Sequence, residues 1–255
     1  MRSRYPSSST FDYSFGPGPL TRAVRTLVYA NVAMFVVTTI FPVATLYFGM
    51  SPAAVLEELR VWQPVTYMFL HGGIFHILFN MLALWMFGVE LERMWGSEYF
   101  MKYYFASGIG AALTTIILSF TPFAFADTLY ISLTIGASGA VYGILLAYAM
   151  YFPDRPIYMY FFFPIPAKYF VMIIGAISLY SAMGSGGGGV AHSTHLGGIL
   201  AGYLFLKRGR IHPIAELKYR FMRWKIARNR KRFDIYAGGR QDYRPRRDDI
   251  DRRIH

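Results

Sequence analysis

Three stretches of this sequence bring reactive side chains together at helical spacing. In His71-Gly72-Gly73-Ile74-Phe75-His76-Ile77-Leu78-Phe79-Asn80, His76 and Asn80 stand four residues apart and share one helix face. In Gly136-Ala137-Ser138-Gly139-Ala140-Val141-Tyr142 a serine stands at a helix start, with Tyr142 one turn below it. In Ala191-His192-Ser193-Thr194-His195-Leu196-Gly197-Gly198, His195 is followed by Gly198, and Gly202 completes a Gly-x-x-x-Gly pair. A serine hydroxyl is a weak nucleophile until a neighbouring base takes its proton, and His195 is suited to be that base. The oxyanion formed on attack at a carbonyl needs preorganised donors, which the Ser138 backbone N–H, the Asn80 amide and the His76 ring can supply. Tyr142 can pack against the imidazole and fix its orientation. These residue types suit nucleophilic acyl transfer by a Ser/His dyad. No carboxylate accompanies them in their spans to complete a triad, and Asp127, in the connection before Ser138, is given no role.

The setting of these side chains is unusual. Of 255 residues, 55% are hydrophobic and only 16% charged, against roughly 25% charged in an ordinary soluble domain. The net charge of +12 invites a nucleic-acid reading, but its distribution argues otherwise: residues 1–25 carry +3, residues 26–206 carry −2 and residues 207–255 carry +11. A nearly uncharged body with a basic tail belongs in a lipid bilayer. The absence of cysteine excludes a disulfide framework, a thiolate zinc site and a thiol nucleophile. Residues 1–25 are read as a disordered cytoplasmic leader, because Met1 to Pro19 are polar and lack the pattern of a secretory signal peptide.

Charge-free runs place six spans: about Leu27 to Phe48, a second starting near Gly72, Tyr103 to Ala126, a fourth whose helix begins near Ser138, a fifth over about Ala167 to Met183, and a sixth after the glycine run 184–189. Six spans put both termini on one side, and that side holds 25 of the 26 Lys and Arg, Arg60 being the exception. Both termini are therefore expected in the cytoplasm. In the outer connection, Ser51-Pro52 has the form of an N-cap followed by proline, which predicts a short interfacial helix. Counting at 1.5 Å per residue from the first cytoplasmic charge, Ser138 lies about 24 Å above Asp154, His76 about 21 Å above Glu90 and His195 about 18 Å above Lys207. The three polar sites thus fall in one layer, about 6 to 12 Å below the outer edge of a core roughly 30 Å thick. Gly198 and Gly202, facing Gly139 and Gly143, offer small surfaces through which two helices can approach until Ser138 and His195 touch.

With these residues in place, the chain resembles the rhomboid family of intramembrane serine proteases over roughly residues 26–206. The resemblance is carried by Phe69-Leu70-His71, His76 and Asn80, by Gly136-Ala137-Ser138-Gly139, and by His195 with Gly198 and Gly202 at +3 and +7. It implies an all-α, six-helix membrane bundle in which Ser138 is the nucleophile, His195 the base, His76 and Asn80 oxyanion donors and Tyr142 the residue stacked on the base. His71 is implied to have a structural role in the first outer loop. Gly136 and Gly139 flank the serine in a supporting role. Trp62 is followed by Gln63-Pro64 where the family often has Trp-Arg, and Glu90-Leu91-Glu92-Arg93 with Gly96-Ser97 resembles the family's cytoplasmic turn. The implied activity is cleavage of another protein's transmembrane segment, admitted sideways from the lipid, with residues 184–189 as a mobile cap and the fifth span as a lateral gate. The expected location is a bacterial cytoplasmic membrane, with no metal or other cofactor.

Other classes explain less. An intramembrane metalloenzyme using His71, His76, His192 and His195 would need ligands on one face; histidines five apart do not share one, and Ser138 would be left without a role. A non-catalytic membrane module of the same fold would be expected to lack the serine or the histidine. A transporter would need a pair of broken spans repeated between halves. The basic tail, with Lys218 to Arg232 as a candidate amphipathic helix, suits an anionic leaflet or a solvated topology signal better than nucleic acid.

Overall fold

Prolines and glycines cut the uncharged runs into helices. The computed structural model describes residues 16–122, 126–159, 163–183 and 189–208. Helix α1 (Arg22–Ile40) stops just before Pro42, and a short α2 (Val43–Phe48) follows, so the expected first span is broken near its outer end. The outer connection holds α3 (Pro52–Leu56), α4 (Gln63–Thr66) and a 3-10 turn, Tyr67–Phe69, with proline in the first turn of both helices. Ser51 sits at the start of α3 as expected, but its hydroxyl donates to the Tyr130 carbonyl at 3.4 Å rather than capping the helix.

Helix α5 (Ile74–Ala83) runs through a π-helical turn, Leu84–Gly88, into α6 (Val89–Trp95). Gly96, with φ +80°, makes the corner into α7 (Ser97–Leu118). The third span therefore starts earlier than the expected Tyr103. Glu98 and Lys102, which bounded the uncharged run, lie inside the helix as an exposed i, i+4 pair at 2.5 Å. Beyond α8 (Ala126–Ile131) come α9 (Ser138–Tyr151), α10 (Ala167–Met183) and α11 (Gly189–Arg208).

The chain is mostly helical but not purely so. An antiparallel hairpin, β1 (Pro156–Met159) with β2 (Phe163–Pro166), pairs Ile157 with Ile165 in the connection before α10. Branched and aromatic residues favour this pairing, and the prolines at its ends lose little.

Helices α1, α5 with α6, and α7 are each long and apolar enough to cross a membrane; α9 and α10 are apolar but shorter. The 14 residues of α9 reach about 21 Å, short of a core roughly 30 Å thick. Nine of the 14 residues of α9 are buried, including Gly139, Ala140, Gly143, Ile144 and Ala147. It is the central helix, with α7 as its main neighbour: the Tyr103 hydroxyl of α7 donates to the Gly143 carbonyl at 2.6 Å.

Contacts divide the chain into two units, Met1–Lys207 and Arg208–His255, and the helical body belongs to the first. Gly16 to Leu20, expected to be disordered, are docked: the Trp85 indole donates to the Gly18 carbonyl at 2.9 Å and Arg93 to that of Pro17 at 2.5 Å. Helix α1 then starts at Arg22, inside the expected leader. Buried Glu92 accepts from the Thr21 hydroxyl, from the N–H groups of Ala23 and Val24 at 2.8 and 2.9 Å, and from the Ser97 hydroxyl at 2.6 Å. One carboxylate thus caps the start of α1 and fastens it to the start of α7. The early leader, the glycine run 184–188 and the basic tail from residue 209 lie outside the described residues.

Candidate active site

Ser138 is the first residue of α9, and the turn before it depends on Gly136. That glycine has φ +124°, its N–H donates to the Tyr67 carbonyl at 2.9 Å, and a Cβ there would lie 2.7 Å from the His76 Nε2. The turn is pressed against the His76 ring in a backbone conformation that side chains rarely adopt. The first helical bond of α9 runs from the Val141 N–H to the Ala137 carbonyl at 3.0 Å. The N–H groups of Ser138, Gly139 and Ala140 precede it and have no acceptor within the helix.

His76 is brought to this turn by α5. Its Nδ1 accepts from the Gly72 N–H at 3.3 Å, an arrangement that leaves the proton of the neutral ring on Nε2, the nitrogen facing the turn. The Asn80 amide donates to the His76 carbonyl at 2.8 Å, so one of its two protons is committed to its own helix. His71 is buried with its ring 4.9 Å from that of His76, edge to face. Burial, reinforced by His76, pushes its pKa down to about 4.

His195 arrives on α11. Its Nε2 lies 2.9 Å from the Ser138 Oγ, and its ring stacks on that of Tyr142 with centroids 4.2 Å apart and planes 9° from parallel. Glycine permits this approach: a Cβ on Gly198 would fall 1.9 Å from the Gly139 carbonyl oxygen, and one on Gly202 would fall 3.2 Å from the Gly143 Cα and 2.5 Å from the Tyr103 hydroxyl. The small faces of α9 and α11 therefore meet directly. The His195 Nδ1 is buried and has no hydrogen-bond partner, so among the described residues no third group completes a triad. His192 lies one turn earlier, its ring 5.6 Å from that of His195. Among the described residues no three His, Cys, Asp or Glu side chains are grouped so that they could hold a metal ion.

A cavity of about 420 Å³ adjoins the pair, lined by Phe75, His76, Phe79 and Asn80 from α5, Ser138, Val141 and Tyr142 from α9, Phe170 and Ile174 from α10, and His195. It is apolar apart from the groups just described.

Several supports of the site carry little or no mark in the sequence. Gln63, noted only as a departure, is fully buried; its amide donates to the Tyr47 carbonyl at 3.2 Å and its oxygen accepts from the Ser51 N–H at 3.1 Å, stapling the outer loop. Tyr67, fully buried, donates to the Gly108 carbonyl at 2.7 Å and lies beneath Gly139. Ser178 of α10, also buried, donates to the Tyr142 hydroxyl at 3.3 Å. A serine inside an apolar run was the available signal for Ser178, although Ser181 in the same helix shares it; no sequence pattern marks the other two.

The sequence profile of the Rhomboid domain matches residues 58–208, more than half the chain and all of the residues gathered at this site. The chain belongs to the rhomboid family. It is 32% identical over 158 residues to Rhomboid protease GluP of Bacillus subtilis, covering 61% of this chain and 27% of that protein. It is 32% identical over 139 residues to Rhomboid protein 1, mitochondrial, of Saccharomyces cerevisiae, covering 54% and 38% of the two chains. With Rhomboid protease AarA of Providencia stuartii the identity is 29% over 210 residues, 75% of this chain and 73% of that one. The match spans about a quarter of GluP, well over a third of the yeast protein and almost three quarters of AarA. Family and apolar helices together make this rhomboid a multi-pass integral membrane protein.

Proposed function

We propose that this rhomboid is an intramembrane serine endopeptidase that cuts transmembrane segments of other proteins. The observation that carries the reading is the 2.9 Å contact between Ser138 Oγ and His195 Nε2, in an apolar setting and beside a cavity. His195 takes the Ser138 proton as the oxygen attacks a peptide carbonyl of the substrate. The Ser138 N–H, the His76 Nε2–H and the second Asn80 amide proton face the oxyanion that forms. Collapse breaks the C–N bond, and His195 passes its proton to the leaving amine, which departs and leaves an ester on Ser138. Water then attacks the ester with His195 again as base, releasing the carboxylic acid and restoring the serine. Tyr142 holds the imidazole plane throughout, and His71 packs against His76 without taking part.

The substrate segment enters from the lipid between α5 and α10, with α10 as the gate. Six spans carry the site, with both termini in the cytoplasm of a bacterial cell and the chain in its inner membrane. Short α9 is what places Ser138 below the outer surface. The test is reconstitution in liposomes with a tagged single-span substrate. The wild type should cut it, and Ser138→Ala and His195→Ala should reduce cleavage at least a thousandfold while retaining the wild-type thermal midpoint. Cleavage that persists in either folded variant would overturn the assignment, and a wild type that binds the segment without cutting it would favour a non-catalytic membrane module.

A further inference from the structure

The base is held by few contacts. His195 Nδ1 has no partner, so its orientation rests on the Nε2 contact with Ser138 and on the face it shares with Tyr142. Stacking fixes the distance between two rings better than it fixes their in-plane position, so whatever holds Tyr142 also holds the base. The Tyr142 hydroxyl receives a hydrogen bond from Ser178, 3.3 Å away on α10. Ser178 is 1% exposed, although its neighbours Ile177, Leu179 and Tyr180 are all more than half exposed. It continues the stripe of Phe170 and Ile174, each one helical step of four residues apart, that lines the cavity. A serine buried on an apolar helix costs stability unless its hydroxyl is paired, and Tyr142 is the partner found.

We propose that Ser178 is a positioning residue for the catalytic base, acting through Tyr142. Its hydroxyl pins the far end of the phenol ring, the phenol ring sets the plane of His195, and that plane aims Nε2 at Ser138. The inference rests on the Ser/His reading above. It makes α10 a contributor to the chemistry as well as a wall of the cavity.

The experiment compares wild type with Ser178→Ala, Ser178→Thr, Tyr142→Phe and the Ser178→Ala/Tyr142→Phe double variant. Three readouts are taken: the rate at which a small soluble fluorophosphonate labels Ser138, kcat and KM on a reconstituted single-span substrate, and the thermal midpoint. Loss of one such hydrogen bond is expected to lower labelling and kcat together by about three- to tenfold, with KM within about twofold. Threonine, which keeps the hydroxyl, should restore both. Tyr142→Phe, which keeps the stack and loses the hydroxyl, should match Ser178→Ala, and the double variant should fall no further than either. Wild-type labelling in Ser178→Ala overturns the proposal. So does a threonine variant as slow as alanine, or cleavage that rises while labelling is unchanged, since the bond would then only restrain α10. Should Ser178→Ala fail to fold, Ser178→Thr and Tyr142→Phe carry the same comparison. A wild type that is neither labelled nor active would instead refute the Ser/His reading itself.

Discussion

Replacing Gly198 with alanine tests whether the α9–α11 approach sets the geometry of the site. The new Cβ would stand 1.9 Å from the Gly139 carbonyl oxygen, and real Cβ contacts essentially never fall below 3.0 Å, so the helices must part locally by about 1.1 Å. Neither side can give way by rotating a side chain, because the obstacle is backbone. His195 is three residues from Gly198 on the same helix and Ser138 is the neighbour of Gly139. Transmitted in full, the shift stretches the 2.9 Å contact between His195 Nε2 and Ser138 Oγ beyond hydrogen-bonding range. A displacement of this size at a reacting pair costs on the order of a hundredfold in rate, and overpacking destabilises by about 1–3 kcal/mol. The assay is the rate of Ser138 labelling by a soluble fluorophosphonate, read beside the thermal midpoint in detergent. Gly175→Ala on α10 is the control, because its Cβ would meet only the Ile199 methyl at an ordinary 3.8 Å. Wild-type labelling in Gly198→Ala, with the control also unaffected, would refute the argument that backbone contact sets the Ser–His distance.

Glu92→Gln should lower the thermal midpoint, by about 1–3 kcal/mol of stability, because the amide that replaces one carboxylate oxygen meets donors where acceptors are required; labelling at low temperature should remain near wild type. A midpoint unchanged from wild type would show that Glu92 does not fasten α1. His71 contributes a pH dependence of known sign. Its folded pKa is near 4 against about 6.5 unfolded, so the folded ring stays neutral while the unfolded one takes up a proton. Stability is full above pH 6.5 and declines as pH falls towards 4, by about 3 kcal/mol at most. Unfolding midpoints of wild type and His71→Asn across pH 4–7 check this: the wild-type slope should flatten in the variant, and identical slopes would refute it.

Much of the site was legible because a membrane makes polar residues conspicuous. Ser138, His76, Asn80 and His195 stand out in apolar runs, and the distances of Ser138, His76 and His195 from the cytoplasmic charges put those three at one depth before any fold was assumed. Helix ends were less legible. Charge marks where a span can end, but Glu98 and Lys102 pair on an exposed face and allow α7 to start earlier, while Pro42 breaks α1 without any charge. The pairing of β1 with β2 was not legible because three of their eight residues are proline, which reads as loop; cross-strand pairing supplied what local propensity did not. Gln63 and Glu92 could be seen as polar, but their partners, Tyr47 and Ser51 for one and Thr21 to Val24 for the other, depend on how distant segments lie beside each other.

The sequence by itself determined the solvent, the helix-forming runs and the residue types able to perform acyl transfer, since these follow from composition, spacing and the cost of a polar group in lipid. Only the tertiary structure decided the distances on which such chemistry turns. The 2.9 Å Ser–His contact exists because the Gly198 and Gly139 backbones touch, and the His195 plane is set by a tyrosine pinned from α10. Those contacts join helices far apart in the chain, and rigid close packing resolves them to fractions of an ångström that no periodicity encodes.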